Sequence, residues 1–290
     1  MGDLRLALRF AIVHVVRGAI GAAGCVIALL ALVVPAPAAV ESAGGFKYVS
    51  KEGKVKAERS ETVKAPCPRN TQVWWGGASS SAFFGEASIN GIPYDGPDKG
   101  SQPDDGWKST VRSTADRKLT MTAQAVCTKR LNPVYRDQRK KANPNALTSF
   151  SVECGGDRVS VGGGLAGDVA LNSTFPISGN AWLTFADNRT AKAKPATAYA
   201  VCVEPSLALS VKTFPSPVPA SPGHGGGASQ PCDPGDVGTG GGNSNSGGSG
   251  TIVMTSMVAR PDLGASVLFD NRGASSETYT TYTVCFDPSI

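Results

Sequence analysis

Histidine is almost missing from this 290-residue sequence: His14 and His224 are the only two. His224 lies in a glycine run, so no Ser-His-Asp or Cys-His arrangement can form around it. Neither Gly-x-Ser-x-Gly nor His-Glu-x-x-His occurs, which weighs against most hydrolases. Cys-x-x-Cys is missing too, and with it the usual zinc ligand set. Past the N-terminal segment there is no convincing amphipathic helix. Charge of one sign is also scarce. The formal net charge is +5, but Arg5, Arg9 and Arg17 against Asp3 fall in the first 39 residues and leave about +3, too little to argue for nucleic acid. A non-enzymatic protein without a cofactor is the expectation.

Glycine and proline, by contrast, are abundant, at 35 and 20 residues, as in chains of many short strands joined by turns. The N-terminus has a basic segment, then an apolar run over 18–34, then Ala36-Pro37-Ala38 or Pro37-Ala38-Ala39 as a small-residue cleavage site. This is the layout of a secretory signal peptide over 1–39. An uncleaved membrane anchor extended through Phe10–Val16 is the competing reading. Cleavage removes Cys25 and leaves six of the seven cysteines in an exported, oxidising setting.

Those six cysteines organise the chain. Cys154 precedes Gly162-Gly163-Gly164 by eight residues, Cys232 precedes Gly240-Gly241-Gly242 by eight, and Cys67 precedes Trp75-Gly76-Gly77 by eight. Asp187-Asn188-Arg189 begins fifteen residues before Cys202, and Asp270-Asn271-Arg272 fifteen before Cys285. Trp107 and Trp182 each lie twenty residues before Cys127 and Cys202; Ala265 holds that place in the third copy. Gln124-Ala125-Val126-Cys127, Tyr199-Ala200-Val201-Cys202 and Tyr282-Thr283-Val284-Cys285 close the three copies. Of fifteen possible pairings the repeat selects Cys67–Cys127, Cys154–Cys202 and Cys232–Cys285.

The chain therefore divides into a signal peptide (1–39), a polar, lysine-rich leader that is either mobile or an edge strand (40–61), β repeat 1 (62–128), a basic linker (129–148), β repeat 2 (149–205), a Pro/Gly-rich linker (206–231) and β repeat 3 (232–290). The expected fold is all-β: three disulfide-clipped antiparallel repeats packed as one pseudo-threefold body, β-prism-like or trefoil-like, since units near 55 residues are marginal alone. A linear string of three small domains is the alternative.

Candidate ligand-binding residues follow from chemistry. Trp74 and Trp75 are adjacent, so on a strand they point to opposite faces, and one exposed indole would suit stacking on a sugar ring. Trp107 and Trp182 read as core. Asp187, Asn188, Arg189, Asp270, Asn271 and Arg272 read first as turns made by side chain–backbone hydrogen bonds, and second as ligand-facing corners. Asp95, Asp98, Asp104 and Asp105 read as a polar loop, with calcium binding or glycosidic hydrolysis as sharper alternatives. Gly162–Gly167 fits Gly-x-Gly-x-x-Gly, but a strand-like segment follows where a dinucleotide site needs a helix, so the glycines read as turn or close-approach positions.

The order Cys…Gly-Gly-Gly…Ser-x-x-Pro…Trp…Asn…Tyr-Ala-Val-Cys, clearest at 154–202, resembles a β repeat found in secreted bacterial proteins of uncharacterised function. The resemblance implies export and a non-catalytic scaffold, and it carries no active site over. The expectation is a secreted protein binding a cell-wall glycan or another envelope polymer. It has no nucleic-acid partner, and meets a membrane only through an uncleaved N-terminus. A structural or protein-interaction module (adhesin or inhibitor) comes second and a glycoside hydrolase third.

Overall fold

Alternation of Val, Thr and aromatic residues with polar ones makes strands throughout. The structure, a computed structural model, describes residues 40–96, 102–130, 132–177, 180–206, 208–213, 218–245 and 252–290; among these are twenty strands and no helix. The signal peptide and Asp98 lie outside the described residues. After β1 (Glu41–Ala43), unit one runs β2 (Phe46–Val55), β3 (Ser60–Pro66), β4 (Gln72–Ser80), β5 (Ala87–Tyr94), β6 (Gly106–Ser113) and β7 (Leu119–Thr128). Unit two repeats the series as β8 (Val134–Ala142), β9 (Ala146–Glu153), β10 (Val159–Gly167), β11 (Ala170–Ile177), β12 (Ala181–Asn188) and β13 (Lys194–Val203). Unit three has β14 (Leu209–Thr213), a short β15 (Val218–Ala220), β16 (Gly225–Gln230), β17 (Val237–Asn245), β18 (Ile252–Arg260), β19 (Gly264–Asn271) and β20 (Glu277–Phe286).

No sheet belongs to a single unit. The first sheet joins β1-β2-β7-β4 of unit one to β18-β19-β16 of unit three. The second joins β3-β6-β5 of unit one to β10-β13-β8 of unit two, and the third joins β14-β20-β17 of unit three to β11-β12-β9 of unit two. The joins pair Met257 with Ala78, Leu165 with Gly91, and Thr174 with Asn243. One buried core accordingly draws on all three units, with Trp75, Leu165 and Met257 among its members. This excludes the linear string.

The glycine triplets explain how the joins form. A Cβ on the last glycine of each triplet would sit 1.9 Å from Met257 O (at Gly77), 2.0 Å from Gly91 O (at Gly164) or 1.8 Å from Thr174 O (at Gly242). Only glycine lets the neighbouring unit's backbone come this close. The middle glycines accept indoles: a Cβ would meet Trp107 at 2.0 Å on Gly76 and Trp182 at 2.2 Å on Gly163. At the first position of the triplet the units differ. Unit one has Trp75, whose Cδ1 would lie 3.0 Å from a Cβ on Gly162 and 2.7 Å from one on Gly240. Its Nε1 donates to Gly241 O at 2.9 Å.

Tyrosines lock two of the three seams between units. Tyr48 on β2 donates to Gly238 O of unit three at 2.6 Å, and Tyr135 on β8 donates to Val73 O of unit one at 2.6 Å. Burial pushes both phenols far above their ordinary pKa, so they remain donors at any physiological pH. The disulfides are those the spacing selects, Cys67–Cys127, Cys154–Cys202 and Cys232–Cys285, with Cα–Cα distances of 5.7, 5.5 and 5.7 Å. Loops of this length contribute about 4 kcal/mol each in the chain-entropy model.

Of the two readings of the leader the edge strand holds, and both linkers need correction, because they too are strands. Residues 40–61 hold β1, β2 and the start of β3; 129–148 hold β8 and the start of β9; 206–231 hold β14, β15 and β16. They run at or next to sheet edges, where one face meets water. Few apolar anchors therefore suffice: Phe46, Tyr48 and Val55 are buried on β2, and Tyr135 and Ala142 on β8.

The joins have a direct test. Gly164→Ala places a methyl against the Gly91 carbonyl and should cost about 3 kcal/mol or more in chemical denaturation. A loss below ~1 kcal/mol would show that the join does not depend on that contact.

Candidate functional site

β6, β12 and β19 occupy equivalent places and finish at the same end of the body. β12 ends in Asp187-Asn188 and β19 in Asp270-Asn271, whereas β6 ends in Arg112-Ser113. The asparagines make the turns that follow. Asn188 Oδ1 accepts from Thr190 N at 3.1 Å and Thr190 Oγ1 at 2.8 Å, while its Nδ2 donates to Ala142 O and Lys192 O. Asn271 Oδ1 accepts from Gly273 N at 2.9 Å and its Nδ2 donates to Ser275 O at 2.8 Å. Asn188 and Asn271 thus position the loops, as the turn reading expects, and Asn188 also lines the cavity described below.

Asp187 and Asp270 are 5% and 3% exposed. Arg189 Nε donates to Asp187 Oδ2 at 2.5 Å. Asp270 Oδ2 accepts from Gly85 N at 2.7 Å and lies 3.7 Å from Arg272. Arg272 also donates to Ala87 O at 3.0 Å, which ties unit three to unit one. Burial raises the pKa of both carboxyls, with the arginines and the Gly85 N–H pulling the other way. Burial likewise lowers that of Arg272, assisted by the like charge of Arg189. Asp168 takes hydrogen bonds from Arg112 and from Lys194, the latter at 2.6 Å. Lys194 is the main cause of its lowered pKa.

Arg112, Asp168, Asp187, Asn188, Arg189 and Arg272 line a cavity of about 160 Å³, with Asp270 and Lys194 behind them. Arg112 and Thr114 come from unit one, Asp168, Asp187 and Arg189 from unit two, and Arg272 from unit three. One arginine from each unit thus faces a shared space, with carboxylates interleaved. The arrangement offers fixed donors and acceptors to a polar group of about the size of one sugar ring. It is smaller than the ~300–1,000 Å³ of drug-sized pockets.

Trp74 and Trp75 are corrected: both are fully buried, as are Trp107 and Trp182. Strand alternation does send Trp74 and Trp75 apart, but both sides of β4 are covered: Trp74 packs edge-on against Phe46 of β2, 5.2 Å between centroids, and Trp75 against units two and three. Among the described residues the exposed aromatics are instead Phe83 and Phe84, at 61% and 55%. They sit in the loop after β4, whose Gly85 holds Asp270; Arg117 lies over the Phe83 ring at 4.7 Å and pairs with Glu86 at 2.7 Å. No repeat offset marks Phe83 or Phe84, and only their pairing in an otherwise polar loop could have signalled them; Arg112 does lie fifteen residues before Cys127, the place of Asp187 and Asp270, but without the Asp-Asn-Arg motif the offset passed unread.

The acidic loop of unit one serves the fold. Asp104 accepts from Gln72 Nε2 at 2.8 Å, Asp105 accepts from Gly96 N, and Asp95 is exposed. Among the described residues no group of three His, Cys, Asp or Glu side chains is placed to hold a metal ion.

The two buried carboxyls set a pH dependence. A raised pKa in the folded state means that their contribution favours folding below the ordinary value near 3.8 and is lost as pH rises through the raised value. Asp187→Asn should therefore gain stability relative to the parent as pH rises through that window, read as the difference in Tm between pH 3 and pH 7. A variant that loses stability over that range would show the Arg189 pairing to dominate. The sequence matches no known protein family and no curated protein.

Proposed function

We propose that this is a secreted, non-enzymatic binding protein, built as a pseudo-threefold prism of three β repeats, that attaches to a glycan or envelope polymer through the end bearing the Arg112–Arg189–Arg272 cavity. The observation that carries the reading is the convergence of three units on one polar cavity. Hydroxyl-rich ligands are held by arrays of fixed donors and acceptors of this kind, and the exposed Phe83 and Phe84 give an apolar face nearby. The same strand order in all three sheets and the cyclic joins support the threefold arrangement. Three disulfides, and no helix among the described residues long and apolar enough to cross a membrane, are compatible with export. The resemblance to secreted β-repeat proteins points the same way.

The test is depletion of the protein, from Val40 onward, by purified cell walls and insoluble polysaccharides at low and high salt. Salt-resistant retention by one polymer is expected, with Arg112→Ala, whose partner Asp168 is exposed, and Phe83→Ala each weakening it about tenfold, or ~1.4 kcal/mol, while Tm is kept. Retention that salt abolishes would move the site to the exposed cations of β8, Arg136, Arg139, Lys140 and Lys141. No retention on any polymer would sink the reading.

A further inference from the structure

The three seams between units are built alike, yet one is left open. At the first, Tyr48 of β2 crosses from unit one and donates to Gly238 O at the start of β17. At the second, Tyr135 of β8 crosses from unit two and donates to Val73 O at the start of β4. Pairing registers put Tyr48 opposite Val126, Tyr135 opposite Val201, and Val211 of β14 opposite Val284. Gly238, Val73 and Ser160 are equivalent in turn, each being the last residue before the register shift in its glycine strand. At the third seam, then, Val211 stands where the others have tyrosine, and Ser160 supplies the matching carbonyl.

The consequence is visible in the surface. Tyr48 and Tyr135 are 2% and 8% exposed, whereas Val211 is 47% exposed. Beside it lies an apolar groove of about 350 Å³, walled by Val159, Ser160, Val161, Leu209, Val211 and Tyr282. The other two seams fill this place with a phenol from the chain itself.

We infer that the groove at the seam of units two and three is a docking site for a tyrosine side chain of a partner protein, the group with which the chain itself fills the other two seams. The ring would lie against Val159, Val161 and Val211, and its hydroxyl would donate to the Ser160 carbonyl, as Tyr48 and Tyr135 donate to theirs. A plain phenyl group would bury the same apolar area but lose that hydrogen bond. The site is separate from the polar cavity and does not depend on the glycan reading.

The experiment titrates the protein, from Val40 onward, with p-cresol, toluene, N-acetyl-tyrosinamide and N-acetyl-phenylalaninamide, followed by amide NMR shifts. Expected are shifts at Val159–Val161 and Leu209–Val211, with p-cresol about fivefold to tenfold tighter than toluene, the margin of one net hydrogen bond. N-acetyl-tyrosinamide is expected to match or exceed p-cresol; p-cresol binding clearly tighter than N-acetyl-tyrosinamide would overturn the assignment to a protein tyrosine in favour of a small phenol. Val211→Tyr rebuilds the closed seam and should abolish binding while raising Tm; Val211→Thr leaves the groove open and should keep binding. Shifts confined to other residues, no preference for the hydroxyl, or binding unchanged in a folded Val211→Tyr would each overturn the inference. So would a groove already filled by residues 214–217 of this chain, seen as direct contacts between them and Val159 or Val161.

Discussion

Room for one indole, and no more, where three glycine strands meet is the constraint on which the body depends. β4, β10 and β17 carry equivalent residues at that meeting line, and Trp75 alone has a side chain there. A second large side chain at the equivalent Gly162 or Gly240 would overlap it. The identical repeat is therefore impossible at this place, and the units must differ where they touch. The next two positions of each triplet then follow: one glycine to lie under its unit's own tryptophan or alanine, one to admit the neighbouring unit's backbone.

That close approach turns three marginal units into one core. Each unit lends its β5-, β11- or β18-type strand to a neighbour's glycine strand, so no unit can bury its apolar face alone. The disulfides act within units and the glycine joins act between them. Loss of either kind of link leaves the other without a partner surface to hold.

Legibility in the sequence tracked the spacing of the chain. Cysteine offsets carried the disulfides, and the matched Trp107 and Trp182 carried two core positions, because a repeat keeps its register even where side chains change. The strands β8 and β14 were hidden, and β2 stood only as one of two readings, because one wet face fills them with Lys, Arg and Ser, which reads as leader or linker. The tryptophans misled for a related reason: adjacency on a strand predicts opposite faces but not whether a neighbouring unit covers both. The Asp-Asn-Arg corners were visible as motifs, and their turn chemistry was legible from Asn188 and Asn271. Their convergence was not, since Arg112 replaces Asp at the matching place in unit one and no offset shows that three strand ends share a cavity.

Divergence in the interior carries a further consequence for stability. Across the third sheet the paired residues Thr281, Asn243, Thr174 and Thr184 are all buried, where the first sheet has Ala123, Ala78, Met257 and Val267. Trp182 Nε1 donates to Thr174 Oγ1 at 2.6 Å, but the Asn243 amide and the Thr281 hydroxyl have no partner among the described residues. An unpaired buried polar group costs about 1–3 kcal/mol. Asn243 and Thr281 sit on β17 and β20, and Cys232–Cys285 clips β20 to the segment leading into β17. A bridge worth about 4 kcal/mol offsets the polar pair in the unit that carries it. The cross-link common to the three repeats thus outweighs the cost of one such group, in unit three as in unit one, where Trp74 Nε1 and Trp107 Nε1 are likewise buried without a partner among the described residues.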